Sequence, residues 1–269
     1  MCVSFMVMLA PGQVAKFFEQ GYLIVPGFFD RVSVAKVRTC FERLEQLAER
    51  LGTTQELDGC LFVLEQQKCR PLRIERIVWC GAVEPELIEV SRTPRLLQAM
   101  AQLLGTREID QLINQAHIKR PGDGVGFPFH QDSYHRRYGT PLFSDVNGRG
   151  SFIQSLVAID PMRPANGGLW VVPGSQRLGH ITSENGELPP HSFDPQQALP
   201  VLLEAGDLLL LAPFTIHGSS PNEGSLPRRV FINGFCCAGA NRRMYPGAGT
   251  GQRLVAESFL DSETYAKVV

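Results

Sequence analysis

The chain has 269 residues, a formal net charge of −1, 43% hydrophobic and 20% charged residues. That length can bury a substantial core without disulfides, and the balanced charge with no long basic run gives no support for nucleic acid or a membrane surface as partner. Seven cysteines, an odd number with no C-x-x-C pair, exclude a disulfide framework or a cysteine-rich zinc site and suit a reducing, cytoplasmic setting.

The opening "MCVSFMVMLA" is apolar but lacks a basic stretch and is too short to span a bilayer, so no signal peptide is read. Met1 and Met8 are both plausible starts. "PGQVAKFFEQGY" predicts a short helix with Val14, Phe17 and Phe18 on one face, and "YLIVPG" a short strand stopped by Pro26 and Gly27. Asp30 is a good N-cap for a helix carrying Val34, Val37, Phe41, Leu44, Leu47 and Leu51. Residues 84–104 read as helical with one interruption at Pro94. After about residue 110 short β-forming runs alternate with Gly, Pro, Asn and Asp clusters. Strands are predicted at 111–119, 127–132, 151–160, 168–173, 199–203, 207–213 and 228–236. The expectation is one α+β domain over 1–269. Residues 1–110 are mainly helical support, 111–236 form a β-sandwich or barrel core, and 237–269 are a C-terminal segment.

In "FPFHQDSYHRRYG", His130 and Asp132 lie two positions apart after a Gly/Pro-rich run. On a strand, residues i and i+2 share a face and can meet one ion from one side. The third donor must come from elsewhere in the sheet. His135 sits in a polar run, His180 and His191 in loop-like stretches, and His117 only thirteen residues before His130. His217 follows the apolar "DLLLLAPFTI" and precedes a turn cluster, at the end of a buried strand and well placed to enter a cavity. A lone histidine there is ordinarily a hydrogen-bonded core residue. "LPRRVFINGF" follows, and of its two adjacent arginines only one can point inward, where it needs an anionic partner. Two histidines and one carboxylate make the facial triad of non-haem Fe(II) oxygenases, and a buried arginine nearby suits a cosubstrate carboxylate.

These motifs resemble the phytanoyl-CoA dioxygenase family, which includes ectoine hydroxylase. "FFEQGYLIVPGFFD" is similar to its N-terminal signature and "FHQDSY" to its H-Q-D motif. "NGGLWVVPGSQRLGH" resembles its N-G-x-L-x-x-x-P-G-S-H segment, with Gln176 in place of the usual histidine, and "HGSSPNEGSLPRR" its H-G-S-x-x-N-x(5)-R motif. The resemblance implies a double-stranded β-helix (jelly roll, cupin-like) with helices packed on one face, and an enzyme using Fe(II), 2-oxoglutarate and O2. It implies iron ligands His130, Asp132 and His217, with Arg228 and the Ser219 hydroxyl on the distal carboxylate of 2-oxoglutarate and Arg229 facing outward. Because Asp132 is present where the family's halogenases carry a small residue, it implies hydroxylation or a related oxidation.

Several positions carry two readings. Gln115, His117 and Lys119 form either a polar cavity wall, with Lys119 near the 2-oxoglutarate head, or an exposed edge. Gln154 either contacts cosubstrate or substrate or is a hydrogen-bonded core residue. Trp170 is either core or cavity. The run from Tyr134 to Tyr138 is either a solvated loop or a cover that favours an anionic substrate. The expected partner is a small molecule, for a monomer or homodimer. The competing functions are a cupin-like metalloenzyme that does not use 2-oxoglutarate and a non-catalytic binding protein of the same fold.

Overall fold

The computed structural model describes residues 9–257, so residues 1–8 of the apolar opening, with both candidate start methionines, lie outside the described residues. Helix α1 (Pro11–Gln20) buries Val14 and Phe17 and ends at Gly21, whose φ of 79° only glycine adopts without strain. It leads into β1 (Tyr22–Val25). Asp30 caps α2 (Arg31–Leu51) by accepting a hydrogen bond from Ser33 N at 2.7 Å. The apolar stripe of α2, Val34, Val37, Phe41 and Leu44, is buried as its spacing requires.

Beside its helices, the region 1–110 also holds strands that the sequence analysis does not assign: β2 (Gln55–Leu57), β3 (Cys60–Glu65) and β4 (Arg73–Val78) form an antiparallel meander there. Polar and charged residues in "QEL" and "RIERIV" hid the alternation, because half of these side chains face away from the core. Helices α3 (Pro85–Ser91) and α4 (Pro94–Leu104) follow, with Pro94 at the first position of α4 rather than inside a helix.

The remaining strands are β5 (Glu108–Lys119), β6 (Phe127–His130), β7 (Phe152–Ala158), β8 (Leu169–Val171), β9 (Leu199–Pro200), β10 (Leu208–Leu211), β11 (His217–Ser219), β12 (Arg228–Cys237) and β13 (Gln252–Val255). A single helical turn, α5 (Asp132–His135), follows β6. The large sheet runs β1-β10-β7-β12-β5-β4-β3-β2, with β13 also on β5; the small sheet runs β6-β11-β8-β9. Among the described residues every strand pairing is antiparallel, as in a jelly roll. Three expectations change. The apolar run ends at Leu211, and His217 opens a separate strand in the other sheet. The strand at 127–132 stops at His130, so Asp132 begins a helical turn. The C-terminal segment returns to the sheet as β13.

Register decides the two faces of the large sheet. Arg228 pairs with Lys119, Val230 with His117, and Ile232 with Gln115; these share the concave face turned to the small sheet. Arg229, Phe231 and Asn233 take the convex face. There Arg229 meets Glu45 of α2 at 2.7 Å, and Phe231 packs edge-on to Phe41 with centroids 6.2 Å apart. Asn233 accepts from Asn114 Nδ2 at 3.1 Å, and Asn114 Oδ1 accepts from Gly81 N at 2.8 Å. The helices therefore cover the convex face and leave the concave face to the site.

Candidate active site

His217 stands opposite His130 where β11 pairs with β6, and Asp132 swings in from the turn that follows. Their ligand atoms lie within 4.8 Å of one another. The two imidazole centroids are 4.4 Å apart, and His217 Nε2 is 3.8 Å from Asp132 Oδ2. His130 Nδ1 lies 2.7 Å from Pro128 O, and His217 Nδ1 lies 2.9 Å from Thr215 O. A proton donated to each carbonyl leaves both Nε2 lone pairs for the cluster. Asp132 Oδ2 is buried without a hydrogen-bond partner. Converging lone pairs and an orphaned carboxylate oxygen are unfavourable unless a cation sits among them, so the donor set fits a divalent metal such as Fe(II).

The charge states agree with that fit. Burial, followed by the nearby His217, pulls His130 down to about 4, which keeps its imidazole neutral. Burial acts to raise the Asp132 carboxyl, but His217, His130 and Arg136 together hold it below its ordinary value. A neutral imidazole and an ionised carboxylate are the forms that bind metal.

Beside the cluster, Lys119 and Arg228 sit next to each other on the concave face, both buried. Lys119 Nζ donates to Ser219 Oγ at 2.7 Å, Ser220 O at 2.6 Å and Gly167 O at 3.2 Å. Arg228 Nη2 donates to the same Gly167 O at 2.7 Å, while its Nε is buried without a partner. Burial lowers Arg228 to about 10; burial and the charge of Arg228 lower Lys119 to about 6. Arg228 keeps its charge yet has no carboxylate in hydrogen-bonding contact; a ligand carboxylate placed there would pair with it and favour the ammonium form of Lys119 as well. Ser219 Oγ, when it accepts from the Lys119 ammonium, still has its own proton to donate.

The other sequence-predicted positions divide. Gln115 and His117 are on the concave face, not an exposed edge, because β5 is flanked by β12 and β4. The Gln115 amide hydrogen-bonds His117 Nε2, and the His117 ring packs on Phe127 with centroids 5.2 Å apart. Burial, then the Arg228 and Arg76 charges, pulls His117 down to about 3. Gln154 is buried on the same face, paired with Gly234. Tyr134 is half-buried in α5, its ring 5.2 Å from that of His135, which is 5.6 Å from His130. Trp170 is not brought to the cluster. It pairs with Gly218, whereas His217 and Ser219 pair with Val171 and Leu169. Strand alternation thus turns Trp170 to the outer side of the small sheet, into a second apolar cluster with Val172, Ala198 and Ile216. Leu169 takes the inward place.

Sequence reasoning missed the Gly167 carbonyl, which has no side-chain signal. It also missed Arg76. Ile77 pairs with Ala116, so Arg76 comes level with His117 on the concave face. No element is assigned to its stretch from sequence, and only the pairing of β4 with β5 brings it to the site.

A double-stranded β-helix that gathers two histidines and a carboxylate beside a buried arginine defines a 2-oxoglutarate-dependent non-haem iron dioxygenase. Comparison with known proteins narrows the class: residues 17–230 match the family described as Phytanoyl-CoA dioxygenase (PhyH), and the chain belongs to that family. It is 25% identical over 225 residues to a methylphosphonate hydroxylase of Gimesia maris, covering 82% of this chain and 78% of that protein. It is 22% identical over 262 residues to a probable alpha-ketoglutarate-dependent hypophosphite dioxygenase of Stutzerimonas stutzeri, covering 93% and 85%. In fold it is similar to the crystal structure of the epimerase SnoN in complex with Fe3+, alpha-ketoglutarate and nogalamycin RO. There the TM-score is 0.67 at 19% identity, over 93% of this chain and 95% of that one.

Proposed function

We propose that this protein hydroxylates an unactivated C–H of a small-molecule metabolite. In this reading His130, Asp132 and His217 hold Fe(II), and Arg228, Lys119 and Ser219 hold the far carboxylate of 2-oxoglutarate. The observation that carries the reading is the pairing of a three-donor cluster, whose Asp132 Oδ2 has no partner, with a buried Arg228 whose Nε has none and which no carboxylate contacts. A metalloenzyme without 2-oxoglutarate would have no use for the second feature, and a binding module none for the first.

When bound, the iron would activate O2, the oxidant, so that substrate C–H, O2 and 2-oxoglutarate become the alcohol, succinate and carbon dioxide. The chain's own residues do the positioning. The Nδ1 contacts of both histidines to backbone carbonyls fix their rings and present Nε2. Arg228 and Lys119 set the orientation of the cosubstrate through charge-assisted hydrogen bonds. The Gln115–His117 pair and Gln154 line the concave wall beside it, where their amides can orient a substrate polar group. Asp132 as carboxylate occupies the position a halide would need, which favours hydroxylation. The same reading has a small molecule as partner, a monomer or homodimer as the assembly, and the cytoplasm as the compartment. Six described cysteines, all free, are compatible with that compartment. Among the described residues no helix is long and apolar enough to cross a membrane.

The test is an anaerobic titration of the iron-free protein with Fe(II) and 2-oxoglutarate, watching for a weak visible charge-transfer band. Wild type should develop the band, and Arg228→Ala should lose it or need at least tenfold more 2-oxoglutarate. Iron binding with no band in wild type would refute the cosubstrate and favour the other metalloenzyme.

A further inference from the structure

We propose that the substrate of this hydroxylase carries an anionic group, a carboxylate or phosphonate, held by the guanidinium of Arg136; the proposal rests on the hydroxylase reading above. Arg136 is 7% exposed, and its Nε and Nη1 are buried without a hydrogen-bond partner. Among the described residues no carboxylate forms an ion pair with it. The nearby carboxylate that feels its charge is Asp132, which the metal cluster needs.

Its position is what gives this orphan a role. Arg136 follows Asp132 by one helical turn, its N–H donating to Asp132 O at 3.2 Å. Its Cζ lies 5.2 Å from the ring centroid of Phe152 and 5.3 Å from that of Tyr245. Phe152 pairs with Cys236, at the opposite end of β12 from Arg228. The concave site therefore has a buried cationic group towards each end of β12. One suits the cosubstrate; the other has no anion assigned. The two rings offset part of the desolvation of the guanidinium but leave its Nε and Nη1 protons without an acceptor, and keeping such donors near a metal cluster makes physical sense when a ligand brings the anion.

Neighbouring groups point the same way. The Tyr138 hydroxyl is buried without a partner, and the Arg136 charge acts on it. Arg243 shares the Tyr245 ring, its Cζ 4.9 Å from the centroid, and donates to His135 O. Arg76, level with His117, adds a further cation, partly offset by Glu75 at 2.5 Å. The surroundings are thus rich in donors and positive charge. An anion held there would be anchored near the cluster without competing for Arg228, leaving the rest of the substrate to reach the oxidising centre.

The test is calorimetric titration of protein loaded with Ni(II) and saturated with 2-oxoglutarate. The probes are methylphosphonate, propionate and the uncharged dimethyl methylphosphonate. Wild type should bind at least one of the two anions and not the ester. Arg136→Met should weaken anion binding roughly 10- to 100-fold, with Arg136→Lys between, and leave 2-oxoglutarate binding unchanged. The ligand-free Arg136→Met protein should melt at or above the wild-type temperature, because an unpaired buried charge has been removed. Binding of neither anion, or undiminished affinity in Arg136→Met, would overturn the proposal. A clear fall in melting temperature or failure of Arg136→Met to fold would do so too, by marking a structural cation. Failure of wild type to bind 2-oxoglutarate would instead overturn the hydroxylase reading, so the two failures are distinguishable.

Discussion

Lys119 should take up a proton when 2-oxoglutarate binds. It is wholly buried, and burial together with the adjacent Arg228 pulls it down to about 6. At pH 7.5 such a group is mostly neutral, and in that form its two N–H bonds serve Ser220 O and Gly167 O while its lone pair accepts from the Ser219 hydroxyl. A carboxylate within hydrogen-bonding reach favours the ammonium form and would raise Lys119 back toward its ordinary range. Binding should therefore draw most of one proton from solution at pH 7.5. As pH falls through 6 the free protein's Lys119 becomes charged on its own, and uptake should fall toward zero by pH 5. The assay is calorimetry of 2-oxoglutarate binding to Ni(II)-loaded protein in two buffers of different ionisation enthalpy. Loading the metal first keeps histidine deprotonation out of the measurement. Lys119→Met should abolish the uptake at pH 7.5 and weaken 2-oxoglutarate binding roughly tenfold, the loss of one charge-assisted hydrogen bond. Tight binding by wild type with no proton uptake at pH 7.5 would refute the reasoning, since an anion placed against Lys119 must raise its proton affinity.

Two further outcomes are expected. In Gly167→Ala the new Cβ would stand 2.7 Å from Ser220 O and 3.0 Å from Lys119 Cδ, at a φ of 74°. It should cost ~1–2 kcal/mol of stability and weaken 2-oxoglutarate binding about tenfold by calorimetry, because the shared carbonyl moves. Asn114→Leu would leave Gly81 N–H and Asn233 without their buried partner, costing ~2–4 kcal/mol, or about 5–10 °C in thermal denaturation. Iron binding should survive this change, because Asn114 lies on the convex face.

Much of the chemistry was legible in local sequence because the groups that carry it are short and chemically distinctive. H-x-D beside a turn, a histidine after an apolar strand and an arginine opening the next strand name the candidate metal ligands and their cationic neighbour. The helices were legible as well, since Asp30 and the α2 stripe act through contacts within one or two turns. What local sequence could not supply was register and pairing. The same alternation that lets His217 and Ser219 face inward sends Trp170 outward, and only its pairing with Gly218 reveals this. The meander of β2, β3 and β4 was obscured by charged residues, and with it Arg76, whose place beside His117 depends on β4 joining β5.

The sequence by itself determined which residues could do the chemistry and where the helices begin, because side-chain type, spacing and capping are local properties. The tertiary structure alone decided which cations lost their partners. Arg229 and Arg228 are neighbours with the same side chain, yet one reaches Glu45 on the convex face and the other is buried against Gly167 on the concave face. Likewise Arg136 and Arg137 are adjacent, yet Arg136 is buried with unmet donors while Arg137 is exposed. Desolvation depends on everything packed around a group, and that is a property of the assembled sheets.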